Sequence, residues 1–96
     1  MNKRDVITAV ARQTDLTRKE ARQALDAILE TITQALVSGD PVAFSVFGRF
    51  EVREYPGRRL NRFDEAGHFA VEGRPVPTFK SSAALRRRLR EAAGEE

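Results

Sequence analysis

Arginine and lysine side chains dominate one stretch of this chain, and their chemistry points to a polyanionic ligand. Residues 49–80 contain seven basic residues against five acidic ones. The guanidinium group of arginine presents a planar fork of N–H donors that fits phosphate oxygens and the edges of nucleic-acid grooves. Because the middle of the stretch offers almost no apolar side chain to bury, we expect it to be a projecting arm that becomes ordered on the partner that it binds.

The two ends of this stretch have the alternation of apolar and polar residues that is typical of β-strands, in residues 50–53 and in residues 69–72. Two strands joined in this way form a ribbon, which is marginally stable on its own. At about 3.3 Å per residue, its outer eight or so residues would extend roughly 25 Å, more than the width of a duplex groove. Pro56 and Gly57 interrupt the outgoing strand, and proline is tolerated in a free edge but not in a central strand.

The net charge of +3 is distributed unevenly along the chain. Residues 1–48 are neutral overall, residues 49–90 carry +6 and residues 91–96 carry −3. The positive field is therefore confined to the predicted ribbon and the segment after it, as expected of a nucleic-acid-binding surface. Of the 17 basic residues 14 are arginine, although a high-GC coding bias would give the same count.

Length and composition exclude several classes of protein. A chain of 96 residues, 32% of them charged, forms one domain with a small core, which a partner chain would help to complete. The sequence has no run of 18 apolar residues and no apolar signal-peptide core, so we expect a cytoplasmic protein without a membrane partner. The absence of cysteine excludes disulfides, thiolate zinc sites and cysteine nucleophiles.

The sequence does not indicate an enzyme. Its single histidine, His68, lies in the predicted ribbon, where we interpret it as a surface or phosphate-proximal side chain rather than a metal ligand or a base. The sequence shows neither a close pair of carboxylates in an apolar setting nor a glycine-rich phosphate loop. We therefore expect no catalytic residue, no metal, no cofactor and no small-molecule substrate.

Two amphipathic helices are predicted in the N-terminal part. Asn2 with Asp5 marks the start of the first, and Thr17 with Glu20 forms a capping box for the second. Apolar residues of the second helix recur at spacings of three and four, and Gly39 closes it in the left-handed conformation. The helical hairpin is either a packing scaffold or a helix-turn-helix DNA reader, and the near-neutral second helix favours the scaffold.

A strand and a break follow the helices. Val42, Phe44 and Val46 alternate with small or polar residues, which predicts a half-buried strand. Gly48 is predicted to form a tight turn or bulge before the next strand, at a position that has no room for a side chain.

A last helix is predicted after the ribbon. Ser81 or Ser82 would cap it, and Leu85 and Leu89 are its only large apolar anchors. The arginines around these two leucines either form a solvated surface or contact phosphates, and the sequence leaves both interpretations open. They are Arg86, Arg87, Arg88 and Arg90.

Four motifs at matching spacings resemble the HU/IHF family of bacterial DNA-bending proteins. They are residues 1–10 (MNKRDVITAV), the turn at residues 38–40 (SGD), residues 47–54 (FGRFEVRE) and residues 76–80 (VPTFK). The resemblance spans about residues 1–90, without an insertion or deletion between Phe50 and Lys80.

The resemblance implies an α+β fold in an intertwined homodimer, or a heterodimer. Each chain would have an N-terminal helical hairpin, a three-stranded antiparallel sheet with a protruding β-ribbon arm, and a short C-terminal helix. The single domain of residues 1–96 would consist of a helical base (1–40), the sheet and DNA-binding arm (41–80, with the tip at about 56–74) and the C-terminal helix (81–93). The residues expected in the dimer core are Phe44, Phe47, Phe50 and Phe79.

The function implied by the resemblance is architectural. Two arms would reach around double-stranded DNA in the minor groove, and the protein would bend or compact DNA in the nucleoid. We expect low sequence specificity, because the ribbon has few Asn or Gln to read bases and the minor groove carries a degenerate code. The expected DNA-binding residues are Lys3, Arg53, Arg58, Arg59, Arg62, Phe63, Arg74, Lys80 and Arg86.

The arm tip departs from the family pattern. Asn61, Arg62 and Phe63 stand where the family has Arg-Asn-Pro, in which the proline wedges between base pairs. Phe63 is therefore interpreted either as an apolar wedge or as a cross-strand partner of Tyr55 or Phe69. These departures leave open a site-specific IHF-like bending factor and a non-bending variant that binds DNA or RNA. A module that binds protein by strand addition is a further alternative.

Overall fold

The computed structural model describes residues 1–55, 59–63, 69–71 and 73–94, with side chains described for residues 1–54 and 73–94. The chain divides into two compact units, Met1–Ala35 and Leu36–Glu96. In chain order the described elements are α1 (Lys3–Gln13), α2 (Arg18–Val37), β1 (Val42–Phe44), β2 (Gly48–Tyr55), β3 (Arg59–Phe63), β4 (Phe69–Val71), β5 (Arg74–Ser81) and α3 (Ala83–Ala92). The predicted α+β class is confirmed.

Both N-terminal helices begin where the sequence predicts. The capping box predicted at Thr17 and Glu20 is confirmed, and the predicted cap at Asn2 also forms a capping box, with Asp5. The Asp5 N–H donates to Asn2 Oδ1 at 3.0 Å, and the Asn2 N–H donates to Asp5 Oδ2 at 2.9 Å. At α2 the Glu20 N–H donates to Thr17 Oγ1 at 3.1 Å, and the Thr17 N–H donates to Glu20 Oε1 at 2.9 Å. Each box satisfies two N–H groups that the first helical turn leaves without an intrahelical partner.

The end of α2 is also as predicted. Gly39 has φ of +86°, the left-handed conformation that costs glycine little, and its N–H donates to the Leu36 carbonyl at 3.0 Å. This turn leads the chain into the sheet.

Few side chains in the described part of the chain are fully buried. Ile7 is 3% exposed and Ala21 is 1% exposed, and these two are the buried apolar residues. Ile28 and Leu29, which the spacing of α2 places among its apolar positions, are about half exposed, at 51% and 48%. A single chain thus leaves much of its apolar surface in contact with solvent.

The main sheet has the strand order β1-β2-β5, with both pairings antiparallel, and this confirms the predicted three-stranded sheet. The register begins with Gly48 opposite Ser81, pairs Phe50 with Phe79, and continues to Tyr55 opposite Arg74. Pro75 and Pro77 lie in β5, which is an edge strand of this sheet, so their missing N–H groups interrupt no second ladder.

Two further short strands belong to the predicted arm. Within the described residues, β3 and β4 pair with each other in a separate two-stranded sheet, and the register is irregular between Arg59 and Phe63. The register places Phe63 opposite Phe69. Local two-strand pairing of this kind agrees with the predicted ribbon.

The connection between β1 and β2 corrects two details of the sequence analysis. Val46 was predicted in the strand, but β1 ends at Phe44 and Val46 lies in a turn closed by the Phe47 N–H, which donates to the Phe44 carbonyl at 3.1 Å. The prediction was wrong because apolar alternation continues through the turn, where Val46 has φ of +62° and is 76% exposed. Gly48 does not form the turn but begins β2.

The prediction that position 48 has no room for a side chain is nevertheless confirmed. A Cβ atom there would lie 2.5 Å from ring atoms of Phe79 and 2.6 Å from the Lys80 carbonyl oxygen. Both distances are far below van der Waals contact, so only glycine allows β5 to approach β2 this closely.

Helix α3 is capped by Ser82, the second of the two predicted candidates. The Leu85 N–H donates to Ser82 Oγ at 3.0 Å, and the Ser82 N–H donates to the Phe47 carbonyl at 2.9 Å. The start of α3 is therefore bonded to the β1–β2 turn. Its anchors differ in burial, since Leu85 is half-buried and Leu89 is 64% exposed.

Glu20→Gln should destabilise the protein at neutral pH and much less in acid. Hydrogen bonds from the Thr17 N–H and then from its hydroxyl lower the pKa of Glu20 below its ordinary 4.5. A carboxyl with a depressed pKa stabilises the fold above that ordinary value, and the contribution is lost as the pH falls through the folded-state value. Urea unfolding at pH 7 and pH 3 should show a wild-type advantage at pH 7 that shrinks at pH 3.

Thr31→Ala is the control for this experiment. The Thr31 hydroxyl is on the same helix, donates to the Ala27 carbonyl at 2.7 Å and does not titrate in this range. Its effect should be the same at both pH values. A Glu20→Gln effect that is equally insensitive to pH would contradict the role of the charged cap.

Val46→Gly should stabilise the protein by about 1 kcal/mol. A β-branched residue with positive φ costs about 1–3 kcal/mol, which exceeds the roughly 0.5–1 kcal/mol of extra chain entropy that glycine loses on folding. Val42→Gly makes the same chemical change in a half-buried strand position and should destabilise. Thermal unfolding of both variants checks the sign, and a lower Tm for Val46→Gly would contradict the strain argument.

Candidate nucleic-acid interface

The β2–β5 register sorts the side chains of the sheet onto two faces of opposite character. Residues directly opposite each other in an antiparallel pair share a face, and successive residues alternate between faces. One face, the charged face, carries Arg49, Glu51, Arg53, Arg74 and Lys80. The other, the apolar face, carries Val42, Phe44, Phe50, Val52 and Phe79.

Glu51 is the centre of the charged face. Its Oε2 lies 3.2 Å from Arg49 Nε, and its Oε1 lies 3.2 Å from Lys80 Nζ and 4.0 Å from Arg53 Nε. The Glu51 side chain is 18% exposed, whereas those of its three partners are 52–58% exposed. One part-buried carboxylate therefore holds three exposed cations that point to solvent.

This arrangement favours the ionised form of Glu51. The hydrogen bond from Lys80 is the largest of the effects that lower the pKa of Glu51 below its ordinary 4.5, and the charges of Lys80 and Arg49 act in the same direction, while desolvation opposes them. The carboxylate is thus charged at neutral pH, and its negative charge offsets part of the surrounding positive charge.

The apolar face is built around four aromatic rings. The Phe50 and Phe79 centroids lie 5.0 Å apart, those of Phe47 and Phe79 5.3 Å apart, and Phe44 packs edge-on to Phe50 at 6.3 Å. Phe44, Phe47 and Phe79 nevertheless remain 42–47% exposed. These are the four residues predicted in the dimer core, and the structure brings them together into one cluster.

In the helical unit, Lys3 has a partner that the sequence analysis missed. Its Nζ lies 2.6 Å from Asp26 Oδ1, and both side chains are about half exposed. An exposed pair of this kind contributes little to stability and leaves Lys3 accessible to solvent.

The arginines of α3 divide into one with a local structural contact and three at its surface. The Arg86 guanidinium donates to the carbonyl and to the hydroxyl of Ser81, so this residue ties α3 to the end of β5. Arg87, Arg88 and Arg90 are exposed. The prediction of Arg86 as a DNA-binding residue is not tested by this contact.

An open concavity lies beside the charged face. The β1–β2 turn, Arg49 and the junction of β5 with α3 line it, which places Arg49, Lys80, Ser81 and Ser82 around one depression of the surface.

Several predicted residues lie where the structure gives only the backbone or nothing. Arg59, Arg62 and Phe63 are in β3, without a description of their side chains, and Arg58 and His68 lie outside the described residues. Their predicted contacts stay predictions. Arg74, in contrast, is described at the start of β5 and is exposed.

The described residues also bear on metal binding and on membrane insertion. Among those residues, no group of three or more His, Cys, Asp and Glu is arranged to hold a metal ion. Among the helices of the same part of the chain, none is both long enough and apolar enough to cross a membrane.

Comparison with known proteins agrees with this geometry. A family model described as "Bacterial DNA-binding protein" matches residues 1–90. The DNA-binding protein HU of Staphylococcus aureus is 43% identical over 86 residues, which cover 90% of this chain and 96% of the relative. The chain belongs to the HU/IHF family of bacterial DNA-binding proteins.

Solved structures of the family have the same fold. An HU protein from Anabaena, crystallised with DNA, superposes with a TM-score of 0.77 at 36% identity, covering 93% of this chain and 97% of that one. HU from Thermotoga maritima gives a TM-score of 0.67 at 34% identity, covering 93% and 98% of the two chains. The predicted HU/IHF fold is thereby confirmed.

Arg49 and Glu51 were missed as functional residues by the sequence analysis. The signal was present, since the order Arg-Phe-Glu-Val-Arg from Arg49 to Arg53 puts three charges on one face of a strand. The partnership with Lys80 joins residues that are 29 and 31 positions apart in the chain (Glu51 and Arg49), and the local pattern does not fix this pairing.

Proposed function

We propose that the protein acts as a dimer that binds double-stranded DNA with low sequence specificity and bends or compacts it in the nucleoid. The charged face carries the proposal, because Arg49, Arg53 and Lys80 are grouped and exposed on one side of a rigid sheet. The family membership and the DNA-bound relative support the same function.

Phosphate is the ligand that best fits the charged face. Its cations come from two neighbouring strands about 5 Å apart, so they can reach successive phosphates of one backbone. The contacts would be with the sugar–phosphate backbone, which carries no direct sequence information. Low specificity follows from this mode of binding.

A dimer is supported by what the single chain leaves exposed. The aromatic cluster of Phe44, Phe47, Phe50 and Phe79 is part-exposed, as are Ile28 and Leu29 on α2. Monomeric proteins rarely leave contiguous large apolar groups open to water, and a small chain gains most from a partner. We propose that a second copy of the chain covers these side chains.

The arm is proposed to extend the DNA contact through Arg58, Arg59 and Arg62. The backbone register of β3 and β4 places Phe63 opposite Phe69, and a cross-strand pair of the two residues stays a prediction. The hypothesis that Phe63 acts as an apolar wedge between base pairs stays a prediction. The two roles differ in outcome, because only a wedge kinks the duplex.

The alternative functions have less support. The relatives reported above are HU proteins, so a site-specific bending factor is not favoured. Strand addition at the β5 edge is also disfavoured, because Pro75 and Pro77 supply no N–H donors to an added strand. The proposal includes no catalytic step, since the family is one of DNA-binding proteins.

Replacing Arg53 and Lys80 together by Ala should weaken DNA binding and flatten its salt dependence. On duplex DNA the slope of log K against log salt changes by about 0.9 for each phosphate contact that is lost. The matched control replaces Arg12 and Lys19, an exposed arginine and lysine of the neutral N-terminal half, and should change the slope less. Fluorescence anisotropy with a random-sequence duplex over a salt series checks this.

Equal slopes for the Arg53/Lys80 variant and the wild type would show that the charged face does not contact phosphates. A wild type that ignores duplex DNA at low salt would refute the proposed function itself.

Phe47→Ala should destabilise the dimer by about 3–5 kcal/mol, as is usual for removing an aromatic side chain from a packed core. Phe47 packs on Phe79 in the single chain but is 47% exposed there, so much of the loss should fall on assembly. Val37→Ala, at a position that is 82% exposed beside the end of α2, is the control. Sedimentation equilibrium over a concentration series should show dissociation of the Phe47 variant alone, and a stable folded wild-type monomer would contradict the dimer.

A further inference from the structure

The charged face places like charges directly opposite each other on neighbouring strands. Arg49 on β2 and Lys80 on β5 are direct cross-strand partners. Direct partners have Cβ atoms about 4.5–5.5 Å apart, and like charges in these positions destabilise the pair. Arg53, four residues after Arg49 on β2, adds a third positive charge to the same face.

Glu51 is the residue that offsets this repulsion. It lies between Arg49 and Arg53 on β2 and contacts all three cations through its two carboxylate oxygens. Its backbone is fixed by the strand pairing and by Thr78, whose hydroxyl donates to the Glu51 carbonyl at 3.3 Å. An isolated exposed ion pair would contribute little, but here one part-buried acid serves three cations at once.

A DNA phosphate that binds the same cations meets this carboxylate. The phosphate and Glu51 would both be within contact distance of Arg49 and Lys80, and they would therefore lie only a few ångströms from each other. Like charges at this separation repel appreciably even near a protein surface. The group that holds the cations together in the free protein thus opposes the ligand that they bind.

We propose that Glu51 is an internal counter-anion that assembles the Arg49–Arg53–Lys80 cluster in the free protein and competes with DNA phosphate for it. This inference rests on the proposed DNA-binding function. Glu51 is a positioning residue, since it sets the place and the charge of the cations without itself binding DNA. Glu51 thereby lowers the affinity for DNA and stabilises the sheet of the free protein.

The proposal predicts effects of opposite sign for one substitution. Glu51→Gln leaves three clustered cations without their counter-charge, so the free protein should lose thermal stability at low salt, by about 3 °C in Tm. The same variant should bind duplex DNA more tightly, by about fivefold at low salt, because the competing charge is gone. Both effects should shrink as salt shortens the Debye length from about 10 Å at 0.1 M to about 3 Å at 1 M.

Glu54→Gln is the matched control. Glu54 is on the same strand, three residues along, and its register partner Pro75 places it on the opposite face of the sheet. The substitution changes the net charge by the same amount. A gain in DNA affinity that comes from net charge alone would be equal in the two variants, whereas competition for the cluster predicts a clearly larger gain for Glu51→Gln.

A second variant tests the stability half of the proposal separately from DNA. Glu51→Gln combined with Arg49→Gln restores the net charge and removes the cross-strand repulsion with Lys80. Its Tm should therefore be higher than that of Glu51→Gln alone. If the two substitutions instead lower the Tm additively, Glu51 does not act through the cations and the proposal is overturned.

The outcomes separate this inference from the proposed function. Wild-type protein that fails to bind duplex DNA at low salt refutes the function, whatever the Tm values are. Wild-type protein that binds with a steep salt dependence, together with equal or weaker binding by Glu51→Gln than by Glu54→Gln, overturns the counter-anion role alone. Differential scanning fluorimetry and fluorescence anisotropy on the full chain supply both readouts.

Discussion

The register in which β2 pairs with β5 determines the character of both faces of the sheet. It places Phe50 opposite Phe79 and Arg49 opposite Lys80, and so fixes which side chains share a face. Because side chains alternate along a strand, a slip of β5 by one residue relative to β2 would move Phe79 to the charged face and Lys80 to the apolar face. Two contacts fix the register at the Gly48 end of the pair. They are the close approach of β5 to Gly48 and the hydrogen bond from the Ser82 N–H to the Phe47 carbonyl.

A single chain leaves both faces of the sheet incomplete, each in a different way. The apolar face needs cover, because its rings contact one another and remain part-exposed. The charged face attracts anions, because its positive charges outnumber the one negative charge of the Glu51 carboxylate. In the function proposed above, a second chain covers the apolar face and a DNA backbone binds the charged face, on opposite sides of the same three strands. Assembly and DNA binding would then be separated in space although both depend on one sheet.

Much of the local structure followed from the sequence because its causes are local. Capping boxes at Asn2 and Thr17, the left-handed Gly39 and the alternation that begins β2 each depend on residues within one or two turns of one another. The failures have the same physical explanation. Val46 continues an apolar alternation into a turn, and only the return of the chain at Phe47 shows where the strand stops.

The candidate site was predictable only in part. Arg53 and Lys80 were assigned through the family resemblance, whereas Glu51 and Arg49 were overlooked because their importance arises from a neighbour on another strand. Local sequence patterns identify the face on which a charge lies, but the partner of that charge is set by long-range pairing. The same limit applies to Lys3, whose contact with Asp26 joins two separate helices.

Gly48 has a consequence for how genetic data on such a protein are interpreted. A Cβ atom at this position would collide with the Phe79 ring on one face of the sheet and with the main chain of Lys80, whose side chain is a cation of the other face. Any larger residue would push β5 outward and disturb both layers together. A mutational screen would then score position 48 as essential for self-association and for nucleic-acid affinity alike, although the glycine has no side chain with which to touch either partner.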